Sequence, residues 1–411
     1  MIKVVHITVK PGGGAGIAAL RLQQAQLASG IAAAFVSKSL TLDFEGNQLQ
    51  DPIMAYRRLS PLKRGLRRIH RSLFPNASDR IKQEYQALQS ELNCEVASLP
   101  FSSIRLKDHP LVLAADIIHL HWVGEVLDYE RFFADLNKPI VWTLHDRNPF
   151  SGLFHYSADE LLNPQATPLD TEVRLLKAKA LGNINKGAII GPSQWITQQA
   201  MQSAAFGEQL LFKCVSNTIS IENFANTDRL TARQELGIDG QELAFLFIAG
   251  RLDIHRKGSD LLKEALEMAD FPMTLLTLGE GQIEINNKNV KTLPLGFRTG
   301  EQSLARCYAA ADALVLPSRE DNLPNTMLEA FATGIPVIAF DKGGMSEHVK
   351  TGLTGIKVSS VSAVALLEGI MEFSTQADAF SKDEIQAYAN AHFSRKGQLA
   401  AYAKVYQNLL Q

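Results

Sequence analysis

Cysteine is scarce in this chain of 411 residues: Cys94, Cys214 and Cys307 stand far apart. They form no CxxC pair and no zinc spacing, and an odd count argues against a disulfide framework. A reducing cytoplasm is the compartment such usage fits. Net charge is nearly absent as well, at -2 from 41 basic and 43 acidic side chains. The molecule therefore has no bulk attraction to nucleic acid, which is not expected as a partner, and an anionic ligand must be met by a local patch. No run of about 18 apolar residues occurs, so no membrane-spanning helix is expected. The opening stretch, MIKVVHITVKPGGG, is broken by Lys3 and His6 and leads into glycines rather than a cleavage site. It reads as a buried first strand and not as a signal peptide. Internal repeats and low-complexity tracts are also missing.

What is present is alternation. Short, nearly continuous apolar runs occur at 2–9, 117–121, 139–144, 187–191 and 211–216, with a helical pattern over 15–29. Such runs suit parallel strands covered on both faces. The pattern restarts at 243–249 and continues with 273–278, 313–317 and 335–340. Two αβ series of this kind predict two Rossmann-like doubly wound domains. The length agrees, being too great for one ordinary core. The expected domains are 1–216 and 217–394, joined through a polar stretch, NTISIENFANTD, read as a linker. Residues 395–411 form a last helix expected to pack back on the first domain. Residues 57–74 hold seven Lys or Arg and no acid, with Leu59, Leu62, Leu66, Ile69 and Leu73 at helical spacing. A basic amphipathic helix of this type suits an anionic membrane surface. The plain alternative is a solvated surface helix.

Three constellations carry chemistry. The first is the glycine loop Pro11–Gly16, including Gly13 and Gly14, between a strand and a helix. Glycines let backbone approach a ligand, and helix-start N–H groups favour an anion. A dinucleotide site would also want an acid closing the second strand, and Ser37 and Lys38 stand there instead. The second is Gly250-Arg251 followed by Lys257-Gly258, after the first strand of the second series. A guanidinium fork and a compact ammonium suit a diphosphate. Ordinary surface ion pairing is the bland reading. The third runs from Pro317 to Ala330 and reads PSREDNLPNTMLEA. Asp321 falls in a loop and Glu329 two turns into a helix, so the amides of Asn322, Leu323, Asn325 and Thr326 lie near a helix start.

The third constellation, D-N-L-P-N-T-M-L-E-A, resembles the acid, seven residues, Glu signature of glycosyltransferase family 4, retaining enzymes of the GT-B fold. Gly279-Glu280-Gly281, Leu295-Gly296-Phe297, Tyr308 and the Arg251/Lys257 pair fit the same family. Thr143-Leu144-His145-Asp146, with Pro149-Phe150 and His155-Tyr156, resembles its branch for colanic acid, exopolysaccharide or O-antigen synthesis. Two departures stand out: Asp321 occupies the place of a usual Glu, and Asn217-Thr218 replaces a usual Asn-Gly.

The resemblance implies a metal-independent hexosyltransferase, with no cofactor beyond a nucleoside diphosphate sugar as donor. It implies that Arg251 and Lys257 neutralise the leaving diphosphate, and that Glu329 binds ribose hydroxyls. Asp321 and the following amides would hold the sugar, Gly296 and Phe297 would border the base, and His145 would meet the transferred sugar. His119 and His121 read as structural. Asp146 is the nearest candidate for a carboxylate nucleophile, but front-face attack is the favoured reading. The acceptor would be a hydroxyl of a glycan or lipid-linked molecule in bacterial surface polysaccharide synthesis. The place would be the cytoplasm, peripheral on the inner membrane face. A nucleotide-sugar epimerase or phosphorylase of similar fold, or a non-catalytic nucleotide-sugar-binding protein, are the alternatives.

Overall fold

A computed structural model describes residues 1–50, 77–239 and 242–411. The basic stretch 57–74 lies outside the described residues. The chain divides into two compact units. The first comprises Met1–Pro192, Ile196–Val215 and Leu399–Gln411; the second comprises Ser193–Trp195 and Ser216–Gln398.

Among the described residues, the first unit holds an eight-stranded sheet in the order β4-β3-β2-β1-β5-β6-β7-β8. Its strands are β1 (Lys3–Ile7), β2 (Ala32–Val36), β3 (Thr41–Leu42), β4 (Gln48–Leu49), β5 (Ile117–Leu120), β6 (Ile140–Thr143), β7 (Gly187–Gly191) and β8 (Leu211–Cys214). From β2 to β8 all pairs are parallel; β3 and β4 add an antiparallel edge. Sheet order reverses between β1 and β5, which makes that pair the switch point of the sheet. Helix α1 (Gly13–Ala28) crosses from β1 to β2, and Leu22 from it packs with Val4, Ile117 and Val141. The same apolar cluster takes Tyr402, Val405, Tyr406 and Leu409 from the C-terminal helix, Arg395–Leu410.

The second unit holds a six-stranded parallel sheet in the order β11-β10-β9-β12-β13-β14. These are β9 (Ala244–Arg251), β10 (Met273–Glu280), β11 (Val290–Gly296), β12 (Ala313–Leu316), β13 (Val337–Phe340) and β14 (Gly355–Val358). Numbered from β9, the order is 3-2-1-4-5-6, the doubly wound dinucleotide-fold arrangement, with its switch point between β9 and β12. The interiors of β9, β10, β12 and β13 are buried, which explains their unbroken apolar sequences.

The stretch read as a linker is structured. Ile219, Phe224 and Ala232 are buried in the second unit's core, the last two within helices Glu222–Ala225 and Arg229–Leu236. The stretch buries polar Asn217, Thr218 and Ser220 beside Ile219 and Phe224, a pattern with no apolar period to read as helical from sequence.

Candidate functional site

In the second unit, two loops at the carboxyl ends of β9 and β12 are locked together. After β9 a short turn, His255–Lys257, ends at Gly258 with φ of 73°. A Cβ on Gly258 would sit 1.9 Å from the carbonyl oxygen of Pro317. Only glycine permits both that backbone and that approach. Arg319 tightens the join: its amide donates to Arg256 O at 2.8 Å, and its guanidinium grips Asp260 at 2.6 and 2.7 Å.

This interlock assembles a charged cluster. Lys257 Nζ donates to Asp321 Oδ2 at 2.5 Å. Arg256, a buried residue, donates to the same oxygen at 3.2 Å and to Glu320 O at 2.9 Å. Burial alone would raise the Asp321 pKa, but Lys257 and Arg256 outweigh it and hold the carboxyl below its ordinary value. Lys257 has three donors and one is used here, so its ammonium is oriented while still able to bind an anion.

Helix α2 (Asn325–Thr333) follows directly, with Pro324 at its cap position and no side-chain cap. Met327 N donates to Pro324 O at 3.1 Å in this first turn, and the positive end of the helix dipole there favours an anion. Asn322 and Leu323 are buried in the turn before it. Thr326 carries a buried Oγ1 without a hydrogen bond among the described residues. Inside α2, Glu329 accepts from the hydroxyl of Tyr308 at 2.9 Å, and both are buried. Gly250 and Arg251 end β9, and Gly296 ends β11 with φ of 68°. The side chain of Phe297 beyond it is 62% exposed. All of these residues follow strand carboxyl ends of one parallel sheet.

Arg251 does not join Lys257. It reaches Asp253 at 2.6 Å from an exposed strand end, while Arg256 takes the second cationic place at Asp321. Three consecutive basic or imidazole residues, His255-Arg256-Lys257, left the sequence without a signal for which one turns inward. The turn geometry decides it.

In the first unit, Gly13 adopts φ of 72° at the start of α1, and Gly12 at the cap makes no side-chain bond. A Cβ on Gly16 would meet Lys10 O at 2.2 Å, so the loop turns back tightly on β1. Gly14 lies between them in the first turn. Beside this loop runs a row of histidines. Register places His6 of β1 next to His119 of β5. His6 Nδ1 lies 3.0 Å from His121 Nε2, and His121 Nδ1 lies 3.0 Å from His145 Nε2. Burial drives the His6 and His145 pKa values down to about 4, and those of His119 and His121 well below the usual range. His119 and His121 are thus buried, as the sequence suggests, but His121 touches the candidate residue His145.

The ring nitrogens of His6, His119 and His121 lie within 4.8 Å of one another, a donor set chemically able to hold a metal ion. The rings of His119 and His121 stack, at 22° and 4.3 Å. Both His119 nitrogens meet hydroxyls, of Tyr406 at 2.9 Å and Thr143 at 2.8 Å. Stacked rings with engaged nitrogens do not converge on one point, so the arrangement suits a hydrogen-bond array better.

Asp146 is fully committed. Its carboxylate accepts from Trp122 Nε1 and His155 Nδ1, each at 2.7 Å, and from the Asn148 amide at 2.9 Å. Burial raises its pKa, yet His155 and these donors hold it below the ordinary value. The nucleophile reading of Asp146 is thereby disfavoured: its lone pairs orient the loop after β6. Lys177, buried, donates to Asn148 O at 2.8 Å and Gly152 O at 2.6 Å and braces the same loop.

Comparison with known proteins places this geometry. Residues 244–376 match the family described as Glycosyl transferases group 1. A protein of Klebsiella pneumoniae, the "Uncharacterized 41.2 kDa protein in cps region", is 24% identical over 198 residues, 48% of this chain and 55% of that protein. The chain spans about half or less of the curated relatives it matches first. Among solved structures, sucrose-phosphate synthase from Thermosynechococcus elongatus aligns with a TM-score of 0.68 and 16% identity, over 100% of this chain and 99% of its own. Anabaena Alr3699/HepE in complex with UDP-glucose gives 0.63 and 18%, over 100% of both chains. The fold is GT-B: two parallel-sheet α/β domains. Within it, the second sheet carries the stretch similar to group 1 glycosyltransferases.

Proposed function

We propose that the protein is a retaining glycosyltransferase, of family 4 type, that uses a nucleoside diphosphate sugar. The acceptor is a hydroxyl of a glycan or lipid-linked molecule in bacterial surface polysaccharide synthesis. The observation that carries this reading is the Lys257–Asp321 contact at the β9/β12 switch point, next to the start of α2, which has no side-chain cap. Ligands of open α/β sheets bind outside strand carboxyl ends at such points. The group 1 match over the same residues and a UDP-glucose complex among fold neighbours support the ligand class.

Each residue has a role in this account. Lys257, aimed by Asp321, balances charge on the departing diphosphate, and the first amides of α2 add donors without reorganisation. Arg251 screens the same group from the exposed strand end. Glu329, kept in place by Tyr308, takes ribose hydroxyls. Asp321, Asn322 and Leu323 border the sugar, with Gly296 and Phe297 at the base, and Gly13 and Gly14 also contribute to donor binding. His145 meets the transferred sugar. With Asp146 committed to Trp122, His155 and Asn148, front-face attack is favoured over double displacement. Cations in place of a metal make the reaction metal-independent. The work is cytoplasmic, and residues 57–74 supply a peripheral contact with anionic lipid.

The test is nucleoside diphosphate release from a panel of donor sugars with a membrane-derived acceptor fraction. Wild type should release product, and Lys257→Ala should lower turnover by about a hundredfold or more, as loss of an oxyanion donor does. Near-normal turnover of Lys257→Ala at saturating donor would refute the role. Conversion of the donor without acceptor would favour an epimerase.

A further inference from the structure

Three strands meet at the switch point of the first sheet, and Val9, just past β1, ties their carboxyl ends together. Its amide donates to Trp122 O at 2.8 Å, and its carbonyl accepts from the Lys38 amide at 3.0 Å. Trp122 follows β5 and Lys38 follows β2, so the two residues flank the end of β1. Lys38 then reaches across: its ammonium pairs with the carboxylate of Glu125, three residues beyond Trp122. The pair therefore passes over the end of β1, and an indole, an ammonium and a carboxylate gather on one stretch of the sheet edge. Ligands of open α/β sheets bind outside such an edge, at the switch point.

The chemistry of this group is mixed. Trp122 is half-buried, although its chain neighbours His121, Val123 and Gly124 are all buried. Its one polar side-chain atom, Nε1, is spent on Asp146 Oδ2 at 2.7 Å, with His155 Nδ1 at 3.2 Å. The His155 ring also lies against the indole, with 5.2 Å between centroids. The indole is thus held in one orientation, and what it offers solvent is apolar ring surface. Glu125 is exposed; among the described residues Lys38 engages one of its carboxylate oxygens, and two N–H groups of the ammonium remain. A flat apolar surface edged by a carboxylate and an ammonium matches a pyranose, whose C–H face is apolar and whose rim hydroxyls both donate and accept. Glu125 offsets the charge of Lys38, so the pair suits a neutral sugar better than a phosphate.

We propose that Trp122 and the Lys38–Glu125 pair form a carbohydrate subsite. The indole stacks on the C–H face of a pyranose ring, Glu125 accepts from its hydroxyls and Lys38 donates to them. That this ring belongs to the acceptor rests on the glycosyltransferase reading; that the site takes a pyranose does not.

The experiment is nitrogen–proton NMR on the full chain with labelled tryptophan, whose indoles are Trp122, Trp142 and Trp195. Trp122→Phe assigns the resonance. Methyl glycosides of glucose, galactose, mannose and N-acetylglucosamine are titrated in, with sorbitol as a control that carries hydroxyls but no ring. At least one glycoside should move the Trp122 resonance to saturation and leave the buried Trp142 in place, and sorbitol should move neither. Glu125→Ala should weaken that glycoside about tenfold, as loss of a hydrogen bond to a charged group does. Trp122→Leu should abolish its binding, read by saturation transfer to the glycoside, and Trp122→Phe should keep part of it. With transfer activity in hand, Trp122→Leu should raise the acceptor KM and leave nucleoside diphosphate affinity at the wild-type value. Should Trp122→Leu fail to fold, Glu125→Ala, at an exposed position, carries the test alone. A Trp122 resonance that no glycoside moves, or that sorbitol moves equally, overturns the proposal, as does glycoside binding indifferent to Glu125→Ala. Glycoside binding at Trp122 without transfer from any donor would sink the transferase reading and leave the subsite standing.

Discussion

Single residues decide the proposed donor site. Glu329 and Tyr308 share a buried hydrogen bond. Removing the carboxylate by Glu329→Ala should weaken donor affinity about tenfold or more, since bonds to charged groups contribute about 1.5–3 kcal/mol. Calorimetric titration with donor checks this; unchanged affinity would remove Glu329 from the ribose contact. Asp321 makes a different prediction. Its folded pKa lies below the unfolded one, so its contribution is present above the unfolded value, near 3.9, and is lost as pH falls through the lowered folded value. Asp321→Asn strips the counter-charge from Arg256 and Lys257 and should cost about 3 kcal/mol near pH 7. Urea melts across the acid range should show the wild type losing this advantage, with the two proteins converging. Parallel curves down to pH 2 would contradict the pairing. Asp321, Glu329 and Lys257 were all legible as candidates because acid, helix start and cation recur in order along the chain. Arg256 was not, since nothing in HRKG says which side chain a tight turn buries.

At the scale of elements, strands were legible and their neighbours were not. The runs at 187–191 and 313–317 coincide closely with β7 and β12, because strands buried on both faces write themselves as unbroken apolar sequence. Strands β11 and β14 escaped notice: β11 is a sheet edge with mostly part-exposed residues, and β14 is four residues long. Pairing of β1 with β5, which sets His6 beside His119, joins positions over a hundred residues apart and leaves no local trace. The interlock of the β9 and β12 loops is an element-scale feature too. Gly258→Ala forces a left-handed residue costing roughly 1–2 kcal/mol and drives a methyl into Pro317 O, so a loss of at least about 2 kcal/mol is expected. Urea titration reads it, and donor binding should fall with it. A variant as stable as wild type with intact binding would make the interlock dispensable.

For the whole molecule, four histidines buried neutral in one unit set the acid response. His6 and His145 are depressed to about 4, and His119 and His121 lie lower still. An unfolded chain takes up protons on these rings below about pH 6.5, so native stability is full above that value and falls as pH drops toward 4. Each ring contributes up to about 1.4 kcal/mol per pH unit in that window. Thermal melting of the first unit should therefore shift down steeply between pH 6.5 and 4.5, and a flat profile there would show the rings to be solvated. The division into two Rossmann-like α/β units was legible from the restart of the strand series near residue 243. The polar stretch before it misled, because polar Asn217, Thr218 and Ser220 are buried in it along with Ile219 and Phe224.

Calorimetric titration of uridine, guanosine and adenosine diphosphates into the full chain and into Lys257→Ala is the most direct measurement. At least one nucleotide should bind the wild type, and the substitution should weaken it tenfold or more. Binding that ignores the loss of Lys257, or no binding of any of the three, would contradict a diphosphate seat at the β9/β12 switch point.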